Sequence, residues 1–163
     1  MMPLQFVDAI AEALESLMGA GYTVQTEPLD VLSLDKYIAV FPMSWEPDGE
    51  SVEIGSSQNN KQGEPTINYY HLRVQNLTIH GDIQVAYTQF TNDQRKIRAI
   101  LYRDTTLGVA LRSMQENYLG SRESFKRMTV SRQNTLPGRQ RGAMYFMCET
   151  DIIITTDTVR TAP

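Results

Sequence analysis

The chain has 163 residues, 41% hydrophobic and 21% charged, which suits one domain with a real core and argues against wholesale disorder. A single cysteine, Cys148, excludes an intramolecular disulfide and a multi-cysteine zinc site and fits a reducing compartment, and two histidines leave little for metal or acid–base work. The net charge of −4 is unevenly placed: residues 1–64 carry 2 basic and 11 acidic side chains, residues 65–163 carry 13 basic and 8 acidic, an asymmetry that speaks to partners.

The opening stretch MMPLQFVDAIAEALESLMGAGY has acids inside its apolar pattern and no basic leader, so no secretory signal is expected. Its Phe6, Val7, Ile10, Leu14, Leu17 and Met18 predict an amphipathic helix over 4–18, stopped by Gly19 and Gly21. Residues 34–42 read as a short central strand ended by Pro42. Residues 43–65 follow as a polar, acidic loop or hairpin arm, with five acids against one lysine. Residues 66–81 predict a long strand in which Tyr70, Leu72 and Val74 share one face. Leu77 and Ile79 then take the other parity, which predicts a bulge near Gln75–Asn76.

A helix is predicted from Ile83, capped by Asp82, with Ala86, Tyr87, Phe90, Ile97, Ile100 and Leu101 at helical spacing. Asp104 and Thr105 are cap candidates for a second, shorter helix over 104–114. Alternating strands over 122–133 and 141–156, joined by the turn residues NTLPG, predict a closing hairpin, with 157–163 as a tail. The expected fold is a single α+β domain over 1–163: a mostly antiparallel sheet of about four strands with helices packed on one face.

No enzymatic motif emerges. The chain lacks a G-x-S-x-G elbow, a P-loop and H-E-x-x-H, and GAGY at 19–22 follows a helix where a phosphate loop would follow a strand. Cys148 falls on the apolar face of its strand and reads as a core thiol. Glu149 and Asp151 share a strand face at a spacing compatible with glycosidase chemistry, a pattern that any solvated strand face also shows. No catalytic residue, cofactor or metal is expected.

What stands out is the basic tract 120–142, with six basic side chains and one acid. It holds one aromatic, Phe125, and the protein as a whole is acidic, both of which disfavour a nucleic-acid surface. Docking on acidic protein is the better reading. Arg132, Arg139 and Arg141 are the candidate basic interface. Glu46, Asp48, Glu50 and Glu53 of the acidic loop are the candidate acidic one, on a sister subunit or a neighbour.

The order of elements, the turn Asp104-Thr105-Thr106-Leu107-Gly108 inside AILYRDTTLGVALRSM, and the closing SRQNTLPGRQRGAMYFMCETDIIITT together resemble the tail-terminator proteins of long, non-contractile-tailed bacteriophages. Related virion neck adaptors share the α+β plan, and a small-ligand or enzymatic domain is the further alternative. The resemblance implies a non-enzymatic virion protein, assembled in the host cytoplasm and membrane-free. It would form a homohexameric ring at the head-proximal end of the tail tube, ending tube polymerisation. Its partners would be itself, the tube protein and the head-side neck protein, with genomic DNA passing through the lumen without sequence-specific contact.

Overall fold

In the first helix, α1 (Met2–Met18), the side chains of Phe6, Val7, Ile10, Leu14 and Met18 recur at three- and four-residue intervals, so one stripe is buried along its length. The computed structural model describes residues 2–28, 36–47, 66–140 and 143–161. Gly19 stops α1 in the left-handed region at φ 99°, where other residues are strained. Leu17, expected in the apolar stripe, is exposed instead. After α1 the order is β1 (Thr23–Gln25), β2 (Lys36–Pro47), β3 (Thr66–His80), α2 (Ile83–Arg103), α3 (Thr105–Arg112), β4 (Gln115–Tyr118), β5 (Ser121–Gln140) and β6 (Ala143–Arg160). Asp82 caps α2 by accepting from the Gln84 and Val85 amides, and Asp104 caps α3 through the Leu107 amide, as the sequence led us to expect.

The expected fold class needs correcting. The sheet is larger than about four strands and is mixed: among the described residues it has six, in the order β1-β2-β3-β6-β5-β4, and it curls into a half-barrel. β1 runs parallel to β2, and every other pairing is antiparallel. The two missed strands, β1 and β4, have three and four residues, too few to show an alternation.

Three boundaries also move. β2 runs through Pro42 to Pro47, with a register shift between Pro42 and Ser44; β1 ends its pairing at Ala39, so Pro42 lies on an edge at an irregularity, where a missing N–H costs no ladder bond. Residues 43–47 of the expected loop are therefore strand, and 48–65 lie outside the described residues. NTLPG is likewise strand: Asn134 faces Glu149 and Gly138 faces Tyr145, and the hairpin closes past Gln140 and Ala143. Pro137 is tolerated because β4 pairs only with Ser121–Ser124, leaving β5 an edge beyond. Gly138 sits where the Tyr145 ring lies, and a β-carbon there would come within 2.2 Å of it. Residues 157–160, expected in a tail, pair with β3 and β5.

β3 carries no bulge at Gln75–Asn76; its pairing with β6 is unbroken from Thr66 to His80. The sequence mimics a switch of parity because the inner face turns polar while staying buried. Tyr70, Leu72 and Val74 give way there to Asn76 and Thr78, and Leu77 is buried on the opposite face. The main core lies between the inner face and the helices: Ile38 and Val40, Tyr70, Leu72 and Val74, and Ile152 and Ile154 meet α1, the second half of α2 and α3. A second cluster, Ala86, Phe90, Phe146 and Cys148, lies under the first half of α2.

Two substitutions test this frame. Ile152 is 0% exposed, so Ile152→Asp places a carboxylate in the core and is expected to unfold the domain, read as loss of the cooperative thermal transition. β4 and β5 are joined by Leu119 (φ 47°) and Gly120 (φ 75°), both left-handed as a two-residue hairpin turn requires. Leu119 is 86% exposed and strained, so Leu119→Asn is expected to stabilise by about 1 kcal/mol in urea unfolding.

Candidate interaction surfaces

On the sheet face opposite the helices, one guanidinium joins two strands. Arg73 donates from Nη1 to Glu149 Oε2 at 2.7 Å and from Nε to Asp151 Oδ1 at 2.8 Å, and Gln75 Nε2 donates to the same Glu149 oxygen at 3.1 Å. The hydrogen bond to Asp151, first, and the charges of both acids hold Arg73 more firmly protonated than usual. The carboxylate pair that the sequence offered for acid–base chemistry is thus spent on a cross-strand ion pair. His71 and His80 stand nine residues apart on β3, about 30 Å along the strand, and His80 Nδ1 accepts from the Asp82 amide at 2.9 Å. No cluster of potential metal ligands occurs among the described residues.

Cys148 is fully buried, takes a hydrogen bond from Gln94 Nε2 at 3.2 Å, and has its thiol pushed up by burial, which disfavours the reactive thiolate. Two further polar knots tie the helices and strands together. The Tyr22 hydroxyl donates to Asp93 Oδ1, and Lys36 Nζ lies 5.5 Å from the Tyr22 ring centre, so β1, β2 and α2 are pinned at one place. At the other end Tyr70 and Thr156 both donate to Glu123 Oε1 at 2.5 Å, and Asn68 donates to Thr156 and Thr158. Burial, then the hydrogen bond to Asp93, pushes the Tyr22 hydroxyl up to about 12; burial first and Glu123 second raise that of Tyr70 as well. Sequence reasoning missed Asp93, though the signal was there: it stands between Phe90 and Ile97 at three- and four-residue spacing, an acid in the apolar stripe of α2.

The exposed charges fall into separate surfaces. Arg103 of α2, Arg112 of α3, and Lys126 and Arg127 of β5 line a groove of about 420 Å³. Its one acid, Asp104, is occupied as the cap of α3. Beside it, Arg95, Arg98, Ala99 and Tyr102 form a second concavity on α2, with the Arg98 guanidinium 5.7 Å from the Tyr102 ring centre. The basic tract seen in the sequence therefore contributes Lys126 and Arg127 to a larger surface. The α2 arginines were overlooked because that helix was read for its apolar stripe. The exposed face of α1 carries Asp8, Glu12 and Glu15.

Of the residues proposed from the sequence, Arg132 sits on β5 opposite Asp151 and Arg139 on β5 opposite Met144, while Glu46 sits on β2 opposite Tyr69. Tyr69 faces Thr155, so Glu46 and Arg139 are eleven rows apart along β6, about 36 Å, at opposite ends of the sheet. They are not brought together within one subunit. Arg141, Asp48, Glu50 and Glu53 lie outside the described residues.

The chain matches no protein-family model and no curated protein. Among the described residues no helix is long and apolar enough to cross a membrane.

Burial is the chief cause that lifts the Asp93 carboxyl above its ordinary 3.8, with Tyr22, Lys36 and Lys96 pulling the other way. A carboxyl that binds its proton more tightly folded than unfolded favours the fold below its unfolded pKa, and that contribution is lost as pH rises through the folded value. Asp93→Asn keeps an acceptor for the Tyr22 hydroxyl. It is expected to match or exceed the native protein at pH 7, with its advantage shrinking toward pH 4, read from urea midpoints across that range.

Proposed function

We propose that the protein is a structural subunit of a bacteriophage virion: a tail-terminator-type ring at the head-proximal end of the tail tube that ends tube polymerisation and joins tail to neck. The observation that carries self-association is charge placement. The acidic stretch 48–65 joins β2 to β3 at one end of the sheet, and the arginine-bearing hairpin of β5 and β6 closes at the other. The strand ends that flank these two stretches lie at opposite ends of the sheet, so a contact between them running from copy to copy is head to tail, and its repetition closes a ring or runs on as a filament. The virion role rests on the resemblance drawn from the order of elements, which keeps its long members: helix, strand, long strand, helix, short helix and closing hairpin.

Native mass spectrometry across a concentration series checks the ring, with six copies expected. A pull-down with tube protein checks the terminator role. Binding to neck protein alone would instead make the chain a neck adaptor. Arg139→Glu combined with Arg141→Glu is expected to impair assembly while leaving the thermal midpoint of the subunit unchanged. An equal loss of stability in the monomer would show those arginines to be structural.

A further inference from the structure

α1 and α2 present opposite charge to solvent, and neither is neutralised among the described residues. Asp8, Glu12 and Glu15 lie at i, i+4 and i+7 of α1, one exposed row about 10 Å long, and make no ion pair among the described residues. Arg95, Arg98 and Tyr102 lie at i, i+3 and i+7 of α2, an exposed row of the same length, with Arg103 beside it. None of these arginines has a carboxylate partner among the described residues. Each row also has apolar company: Leu4 is exposed one turn before Asp8 on α1, and Ala99 and Tyr102 are exposed on α2. α1 and α2 pack against each other through their inner faces, yet their charged rows do not meet, so the rows look away from one another.

We propose that the basic face of α2, centred on Arg95, Arg98, Tyr102 and Arg103, is the docking surface for the acidic face of α1 on a second copy of this chain. The two rows match in length and oppose in sign, so the three acids of one copy meet Arg95, Arg98 and the adjoining Arg103 of the next, with Leu4 laid on the Tyr102 ring. The contact uses different patches on its two sides, so it is heterologous and extends from copy to copy. Because much of its attraction comes from solvent-exposed charge, it weakens with added salt. It requires self-association but neither the virion role nor the contact between sheet ends. A short acidic helix fits this surface better than a duplex does, because the groove offers one exposed ring and a row only about 10 Å long.

The test is a charge swap in the full chain. One variant carries Asp8→Lys, Glu12→Lys and Glu15→Lys; the other carries Arg95→Glu, Arg98→Glu and Arg103→Glu. Every altered side chain is exposed, and far-ultraviolet circular dichroism with thermal melting confirms that both variants fold. Should one fail to fold, Asp8→Asn with Glu12→Gln and Glu15→Gln, or Arg95→Gln with Arg98→Gln, takes its place. Sedimentation reads the concentration at which each protein is half assembled. Each reversed variant alone is expected to assemble about a hundredfold more weakly than the native chain, and mixing the two is expected to restore assembly, because every alternating contact again pairs acid with base. Unaltered assembly of either variant alone, no restoration on mixing, or a native chain that stays monomeric at low salt would each overturn the proposal. So would salt-sensitive binding of a 20-base-pair DNA duplex that the α2 variant loses while its self-association persists. Loss of tube binding with the swap result intact would sink only the virion reading.

Discussion

The structure depends on the long antiparallel ladder between β3 and β6, because α2 packs on its inner face and α1 and α3 extend the same core over the flanking strands β2 and β5. Side chains on a strand alternate with period two, so one unbroken register keeps Tyr70, Leu72, Val74, Ile152 and Ile154 on the same side for the whole contact with α1 and α2. A one-residue slip would turn this entire set outward and bring the Arg73, Glu149 and Asp151 ion pair in. The ion pair on the outer face and the apolar set on the inner face therefore specify the same register from opposite sides.

Along that face the character of the interior changes. Toward the middle it is an apolar core under α1, α3 and the second half of α2. Toward the hairpin tip it holds Asn76, Thr78 and Cys148 under the first half of α2, with Gln94 and Asp93 reaching down to meet them. Buried polar groups are costly unless paired, and Asp93 and Cys148 are paired here with Tyr22 and Gln94. The same two-part interior carries the misread bulge in β3, since polar residues at inner positions mimic a change of parity.

The charge asymmetry visible in the sequence becomes spatial once the chain is folded. Among the described residues, acids gather on the exposed face of α1. Bases gather on α2, on α3 and along β5. Segregated surfaces of opposite sign on one subunit favour directional contact between copies over a single nonspecific field, and both the proposed assembly role and the proposed α1-to-α2 docking contact draw on that arrangement.

By itself the sequence determined the long elements and their caps. The three-and-four spacing of α1 and α2, the alternation of β6, and Asp82 and Asp104 are local signals that hold whatever packs around them. The core placement of Cys148 and of Ile152 was equally legible, because it follows from strand parity. Of the candidate interface, the sequence carried the signs of charge and the arginines of the closing hairpin. Tertiary structure alone decided the rest. β1 and β4 are too short to alternate and exist because a neighbouring strand offers a ladder. Pro42 and Pro137 looked like strand ends, and only an edge without a hydrogen-bonding neighbour lets them stay in. The gathering of Arg103, Arg112, Lys126 and Arg127 around one groove joins residues far apart in the chain, and no local pattern encodes a contact of that kind.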